Sequence, residues 1–192
     1  MGKLIYIYGT MGSAKTANAL MRFFELKNKN KYVVLMKPET DIRDGVEVIK
    51  SRIGLQETAL VFKRDDPLRG MAKLKGLEVA IIDEAQFCTE AQINSLKELT
   101  TKTNVNIYCY GLKTDFTSHL FEGSKRLLEI ADEIKELDMS CSCCGKRAEI
   151  NARIDSDKHI IRTGDQIELG GDERYTPLCY KCWLTKKEVE VK

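Results

Sequence analysis

Short apolar runs recur along the first three quarters of the chain, and each ends near a residue that breaks a strand. Leu4–Tyr8 ends at Gly9, and Val79–Ile82 runs directly into Asp83. Short apolar runs bounded by turn residues predict strands that are buried in a sheet. The other predicted strands cover residues 33–36, 59–62, 105–110 and 133–137.

Between these runs, apolar residues recur at the spacing of amphipathic helices. The predicted helices begin near Lys15, run from Thr89 or Glu90 to Leu99, and run from Ser118 to Ala131. Strands that alternate with helices predict a mostly parallel sheet with helices on both faces, which is an α/β fold. The predicted apolar faces consist of Ala17, Leu20, Met21, Phe24 and Leu26 in the first helix, and of Ile93, Leu96 and Leu99 in the second.

The pattern changes after Met139, where cysteines, glycines and alternating residues replace the helical spacing. This change predicts a small β-rich module after the α/β part. We therefore expect two domains, covering residues 1–138 and 139–192.

Composition and charge narrow the class of protein. The chain has 192 residues, of which 43% are apolar and 31% charged, and its net charge is +2. These values are typical of a globular protein, and the small net charge gives no general attraction to nucleic acid or to a membrane. No apolar run approaches the roughly 18 residues of a membrane span. We expect a cytoplasmic protein with neither a membrane nor a nucleic-acid partner.

The segment that follows the first predicted strand has the pattern of a phosphate-binding loop. It reads Gly9, Thr10, Met11, Gly12, Ser13, Ala14, Lys15 and Thr16. In such a loop, main-chain N–H groups and the start of the next helix surround the phosphates of a nucleotide. Lys15 would contact the β- and γ-phosphates, and Thr16 would offer its hydroxyl to Mg²⁺. The plainer alternative is an ordinary turn between a strand and a helix.

Ala14 departs from the usual pattern of this loop, which has glycine immediately before the lysine. The methyl group of alanine is tolerable if the residue has a negative φ and if the phosphate does not need the space. The effect of Ala14 on nucleotide binding thus depends on its backbone conformation.

Two carboxylates follow the most apolar of the later strands. Asp83 and Glu84 would lie at the carboxyl edge of the sheet, near the phosphate-binding loop. Asp83 is a candidate for holding Mg²⁺, and Glu84 is a candidate general base for the group that attacks the γ-phosphate. Acids at strand ends are also often simply solvated.

Five of the seven cysteines lie in the last quarter of the chain, and four of them form two C-x-x-C pairs. Four thiolates on two tight turns suit the tetrahedral coordination of a structural Zn²⁺, one per chain. Cys143 competes with its neighbour Cys144, but only Cys144 completes the spacing. Free buried cysteines are the plainer alternative. The predicted ligands are Cys141, Cys144, Cys179 and Cys182.

These motifs, in this order, resemble the type II thymidine kinases, a family with a RecA-like P-loop domain and a zinc-bearing lasso domain. The resemblance covers nearly the whole chain, and it also includes the motifs 83–87, 110–116, 120–124 and 170–171, with Tyr175 before Cys179. Thr10 and Ala14 depart from the family pattern, which often has proline and glycine there.

The resemblance implies a role for individual residues. Glu84 would be the catalytic base, and Arg43, Asp83 and Gln86 would join the phosphate-binding loop at the nucleotide. Without the resemblance, Phe87, Phe116 and Phe121 would be interpreted as core aromatics. The resemblance assigns them instead to the thymidine pocket. The other residues that it assigns to this pocket are Leu112, Asn151, Gln166, Ile167, Glu168, Leu169, Gly170 and Tyr175.

The family resemblance also implies substrates and assembly. It implies ATP with Mg²⁺, transfer to thymidine and also to deoxyuridine, feedback inhibition by thymidine triphosphate, and a homotetramer. Two alternatives stay open from the residues alone. The acids after the strand also resemble those of ATPases driven by nucleic acid, with the zinc module as a grip. A non-catalytic nucleotide sensor would fit if Ala14 disabled the loop.

Overall fold

The computed structural model describes residues 1–42, 45–166 and 174–189, except the side chains of Arg69 and Ala72. Within these residues, a six-stranded sheet has the order β5-β2-β6-β7-β1-β8, and every neighbouring pair is parallel. The predicted α/β fold with a parallel sheet is confirmed. The strands are β1 (Leu4–Tyr8), β2 (Val33–Pro38), β5 (Leu60–Phe62), β6 (Val79–Ile82), β7 (Asn106–Gly111) and β8 (Glu133–Glu136).

Helices cover both faces of this sheet, as the apolar strands require. The helix α1 (Lys15–Asn28) packs Leu20 and Phe23 against one face. The helices α2 (Glu90–Lys102) and α3 (Glu122–Ile130) cover the other face, where Leu96 and Leu127 join the core. Short 3₁₀ turns cover Arg69–Lys73 and Ala85–Phe87.

Two helical predictions need correction. Of the predicted face of α1, Ala17 and Leu20 are buried, but Met21 is 51% exposed while Phe23 is buried in its place. The helix predicted from Ser118 begins only at Glu122. Ser118 has a φ of 71°, and Thr114 pairs with Leu120 in a short bridge, so this stretch is a tight loop.

A small hairpin between β2 and β5 was not predicted. It consists of β3 (Val48–Lys50) and β4 (Gln56–Thr58), which pair antiparallel. Each strand has only three residues and mixed polarity, so neither gives a clear apolar run. The hairpin forms one wall of the cleft that the segment 9–16 also lines.

The last part of the chain forms a separate antiparallel sheet, which we call the C-terminal module. It contains β9 (Ile150–Ile154), β10 (Ile160–Ile161) and β11 (Tyr175–Leu178), followed by the short helix α4 (Tyr180–Thr185). Its own apolar cluster includes Ile150, Leu178 and three of the cysteines. The small β-rich module is therefore present, and its boundary near residue 139 stays a prediction. Among the residues that the structure describes, no helix is long and apolar enough to cross a membrane.

Candidate active site

The phosphate-binding motif forms a tight loop between the carboxyl end of β1 and the start of α1. Lys15 Nζ donates to the carbonyl of Thr10 at 2.8 Å, and the N–H of Ser13 donates to the same carbonyl at 3.2 Å. A Cβ atom at Gly9 would lie 2.3 Å from Ser13 Oγ, so only glycine fits there. The loop is thus closed on itself, and it leads directly into the start of a helix, where anions bind favourably.

Two hydroxyl groups of this loop are buried without a hydrogen-bond partner in the described part of the chain, namely Thr10 Oγ1 and Ser13 Oγ. A buried polar atom without a partner is unfavourable, and most such atoms in folded proteins are satisfied by protein, water or ligand. These orphan atoms in the loop are consistent with a site that takes polar partners from a ligand.

Ala14 has a φ of 58° and a ψ of 30°, so the condition of a negative φ is not met. This is the left-handed region, where the Cβ of an L-residue lies too close to the following carbonyl oxygen. Ala14 caps the start of α1 without a side-chain hydrogen bond. The chain therefore tolerates a strained alanine where glycine would be relaxed.

An Ala14→Gly variant should be more stable than the wild type. Relief of the left-handed strain is worth roughly 1–2 kcal/mol, and the added freedom of glycine in the unfolded chain offsets about 0.4–1 kcal/mol of it. Denaturant unfolding should show a net gain of about 0.5–1 kcal/mol. The control Ala91→Gly, at an exposed position of α2, should instead lose roughly 0.5–1 kcal/mol. Equal losses in both variants would contradict the strain argument.

Asp83 lies at the end of β6, with β7 between it and the strand that leads to the loop. It is only 3% exposed, and the side chain of Thr16 lies close to its carboxyl group. Burial raises the pKa of Asp83 to about 7, and the neighbouring Glu84 charge adds to the shift, while Thr16 opposes it. A hydroxyl and a carboxylate oxygen therefore meet at the sheet edge, and both are ligands that suit Mg²⁺.

Glu84 is 8% exposed and has a φ of 53°, so the backbone at this acid is also left-handed. Its carboxylate accepts a hydrogen bond from Gln86 Nε2 at 2.5 Å. Gln86 Oε1 in turn accepts from the N–H of Leu112 at 3.0 Å. A Cβ at Gly111 would lie 2.6 Å from that oxygen, so glycine makes room for the contact. Gln86 thereby fixes Glu84 against the end of β7.

The loop and the two acids line one cleft with a volume of about 760 Å³. This is within the usual range of roughly 300–1,000 Å³ for small-molecule sites. The β3–β4 hairpin and Asp41, neither of which was predicted as part of the site, form the opposite wall. The lining residues outside the phosphate-binding loop are Ala17, Asp41, Ile49, Lys50, Ser51, Arg52, Ile53, Gly54, Asp83, Glu84 and Leu112.

Lys37 stabilises this wall of the cleft, and the sequence analysis did not identify this residue. The side chain is fully buried at the end of β2, and its ammonium donates to the carbonyls of Gly45 and Val48 at 2.9 and 2.8 Å. It also lies 3.4 Å from Asp41 Oδ2. A buried ammonium needs such partners. A lysine at the end of an otherwise apolar strand is the sequence signal that could have identified it.

The predicted pocket aromatics fall into two groups. Phe87 and Phe121 meet edge to face, with ring centroids 5.8 Å apart. Phe116 is 1% exposed and lies under the guanidinium of Arg153, which also contacts the ring of Tyr175. Arg153 thus contacts both Tyr175, which belongs to the C-terminal module, and Phe116, which follows β7.

Asn151 joins the C-terminal module to the phosphate-binding loop. Its Oδ1 accepts from the N–H of Met11 at 2.6 Å, and its Nδ2 donates to the carbonyl of Thr114 at 3.0 Å. Nearby, Gln166 Nε2 donates to Asp115 Oδ2 at 2.9 Å. The other predicted site residues of this region, namely Arg43, Ile167, Glu168, Leu169 and Gly170, lie outside the described residues.

Four of the cysteines meet at one point, and they are the predicted four. The sulfur atoms of Cys141, Cys144, Cys179 and Cys182 all lie within 4.8 Å of one another. Burial opposes ionisation of Cys141, but hydrogen bonds from main-chain N–H groups, including that of Cys179, outweigh it and lower its pKa to about 6. Cys143 lies outside the cluster. The arrangement is compatible with Zn²⁺, which prefers four thiolates at tetrahedral positions.

Comparison with known proteins agrees with this architecture. The family model described as thymidine kinase matches residues 2–183. A thymidine kinase of Zymomonas mobilis subsp. mobilis is 38% identical over 190 residues, which are 97% of this chain and 98% of that protein. One from Streptococcus pyogenes is 39% identical over 183 residues, covering 94% and 96%. One from Xanthomonas oryzae pv. oryzae is 36% identical over 180 residues, covering 91% and 86%. The chain therefore belongs to the thymidine kinase family.

Proposed function

We propose that this kinase transfers the γ-phosphate of ATP to the 5′-hydroxyl of thymidine, and also to that of deoxyuridine, as a step of nucleotide salvage. The observation that carries the proposal is the proximity of Thr16 to Asp83, beside Glu84, in a cleft that the phosphate-binding loop also lines. The names of the relatives supply the nucleoside, since each is called a thymidine kinase.

In this proposal the loop from Gly9 to Thr16 binds the triphosphate through its N–H groups. Lys15, which lies against the Thr10 carbonyl, turns to the β- and γ-phosphates. Thr16 and Asp83 would hold Mg²⁺, which neutralises charge on the phosphates. Arg43 would approach the same phosphates, as the family resemblance implies.

Glu84 acts as the general base. It takes the proton from the 5′-hydroxyl while the new O–P bond forms and the bond between the γ-phosphorus and the leaving oxygen of ADP breaks. Gln86 holds the carboxylate in place through the bond at 2.5 Å. Because Glu84 is buried, water competes poorly with the nucleoside for this position.

The pyrimidine would lie near Leu112 and the aromatic residues Phe87, Phe116, Phe121 and Tyr175. Asn151 and the main chain of residues 166–170 would contribute polar contacts to the base. We further propose a structural Zn²⁺ on the four cysteines, a homotetrameric assembly in the cytoplasm and feedback inhibition by thymidine triphosphate. The alternative activity, ATP hydrolysis stimulated by nucleic acid, predicts a different dependence on added substrates.

The test is ATP consumption with thymidine, deoxyuridine, a purine nucleoside or single-stranded DNA as the added component. We expect ADP and a nucleoside monophosphate in equal amounts with thymidine and deoxyuridine. The purine nucleoside and the DNA should leave the rate at its basal value. Stimulation by DNA alone, with no nucleoside monophosphate formed, would instead identify the chain as a nucleic-acid-driven ATPase.

A further inference from the structure

Arg153 on β9 is a charged residue in a position where charge is normally excluded. The side chain is 4% exposed, and its strand otherwise packs apolar residues such as Ile150 and Ile154 into the C-terminal module. A buried guanidinium is favourable only when its donors are satisfied by good partners. The identity of these partners indicates what the residue does.

The first partner is Tyr175. Arg153 donates from both Nε and Nη2 to the tyrosine hydroxyl, at 3.2 and 3.0 Å. The two residues are also directly opposite each other in the pairing of β9 with β11. Two converging hydrogen bonds to one oxygen fix the direction of the tyrosine side chain as well as its position.

The second partner is Phe116, which comes from the loop after β7. The guanidinium carbon lies 3.7 Å from the centre of the Phe116 ring, and 5.5 Å from that of Tyr175. A planar cation at this distance from an aromatic face is held by electrostatic attraction and by stacking. Arg153 therefore contacts one aromatic residue of the α/β part, Phe116, and one of the C-terminal module, Tyr175.

The third partner is the main chain at Gly164 and Asp165, shortly after β10. Arg153 Nη2 donates to the carbonyl of Asp165 at 3.1 Å. A Cβ atom at Gly164 would lie 3.5 Å from Arg153 Nη1 and 3.7 Å from Phe116 Cζ, so the backbone passes close to both side chains. Three separate segments thus converge on one guanidinium.

We infer that Arg153 is a positioning residue that builds the pyrimidine pocket from these three segments. It fixes Phe116, Tyr175 and the main chain at Asp165, and it acts on the nucleoside through them. This inference rests on the proposed thymidine kinase activity. Arg153 lies outside the set of residues that line the nucleotide cleft, so its effect should fall on nucleoside binding and not on ATP binding.

The test compares Arg153→Met and Arg153→Lys with the matched variant Arg162→Met. Arg162 belongs to the same module, lies 5.7 Å from the Trp183 ring and donates to the carbonyls of Trp183 and Lys186, but it contacts another part of the module. Kinetics with ATP and thymidine give the KM of each substrate and kcat. Zinc content and the thermal midpoint report whether each variant folds.

Arg153→Met should raise the KM for thymidine on the order of 10- to 100-fold, because small displacements of binding groups have effects of this size. The KM for ATP and kcat should change little, since lost uniform binding appears in KM. Arg153→Lys keeps the charge over Phe116 but loses the paired hydrogen bonds, so its effect should be intermediate. Arg162→Met should leave the KM for thymidine unchanged.

Tyr175→Phe tests whether Arg153 acts through the tyrosine. In the double variant Arg153→Met/Tyr175→Phe, the rise in the KM for thymidine should be smaller than the rise expected if the two substitutions acted independently. If Arg153→Met does not fold, Arg153→Lys and Tyr175→Phe still decide the question. If the wild type is active and the folded Arg153 variants keep its KM for thymidine, this inference is overturned while the proposed function stands. A wild type that phosphorylates no pyrimidine nucleoside would overturn both this inference and the proposed function.

Discussion

Replacement of Glu84 by glutamine should leave ATP binding intact and reduce turnover of thymidine by about 10²- to 10⁴-fold. The amide has the shape of the carboxylate but cannot take the proton of the 5′-hydroxyl. The left-handed backbone at this position, with a φ of 53°, imposes similar strain on both residues, so the fold should not suffer. The loss should therefore appear in kcat, while the dissociation constant of ATP stays near that of the wild type.

Calorimetric titration with a non-hydrolysable ATP analogue and steady-state kinetics with thymidine measure the two quantities separately. Glu90→Gln is a suitable control, because Glu90 is an exposed carboxylate at the start of α2 and lies outside the cleft. It should retain full activity. Near-normal transfer by Glu84→Gln would show that another group removes the proton.

Loss of one cysteine of the cluster should release the metal and unfold the C-terminal module. A structural zinc contributes roughly 10–16 kcal/mol in small zinc peptides, whereas a whole domain is stable by only about 5–15 kcal/mol. In Cys144→Ser the zinc content should fall from one ion per chain towards zero. Thymidine transfer should be lost as well, because Tyr175 and Asn151 belong to the sheet of the C-terminal module that would unfold.

Cys143→Ser provides the control for this experiment. Cys143 is the neighbour of Cys144 in the chain, but its sulfur is not one of the four that cluster. Metal analysis should still give one zinc per chain for this variant, with wild-type activity. Purified wild-type protein that contains no zinc, or a Cys144→Ser variant that retains both metal and activity, would refute the role given to the cluster.

The parts of the fold that follow from local rules were predictable from the sequence. The apolar runs gave the sheet strands, and the end of β6 correctly indicated two acids beside the phosphate-binding loop. The C-x-x-C spacing distinguished Cys144 from Cys143, since only one of two adjacent side chains can complete the turn. In each case a few neighbouring residues determine the outcome.

Features that depend on contacts between distant segments were not predictable. Lys37 and Arg153 lie within short strands, and only the folded chain reveals which carbonyls and rings they contact. The start of α3 was misplaced because the periodicity of 118–131 continues through a loop whose residue Ser118 is left-handed. The positive φ of Ala14 could not be predicted for a similar reason, since the loop closes around Thr10 and overrides the preference of alanine.

The bond between Asn151 and the phosphate-binding loop has a consequence for how this chain can change over evolutionary time. Within the described residues, the side chain of Asn151 hydrogen-bonds to the main chain of Met11 and of Thr114, at 2.6 and 3.0 Å. Side chains at positions 11 and 114 can therefore be exchanged without breaking the link, provided that position 11 keeps an N–H and is not proline. Selection to preserve the link should therefore act mainly on position 151, and a hybrid of two relatives joined near residue 139 should keep the link when the asparagine is retained.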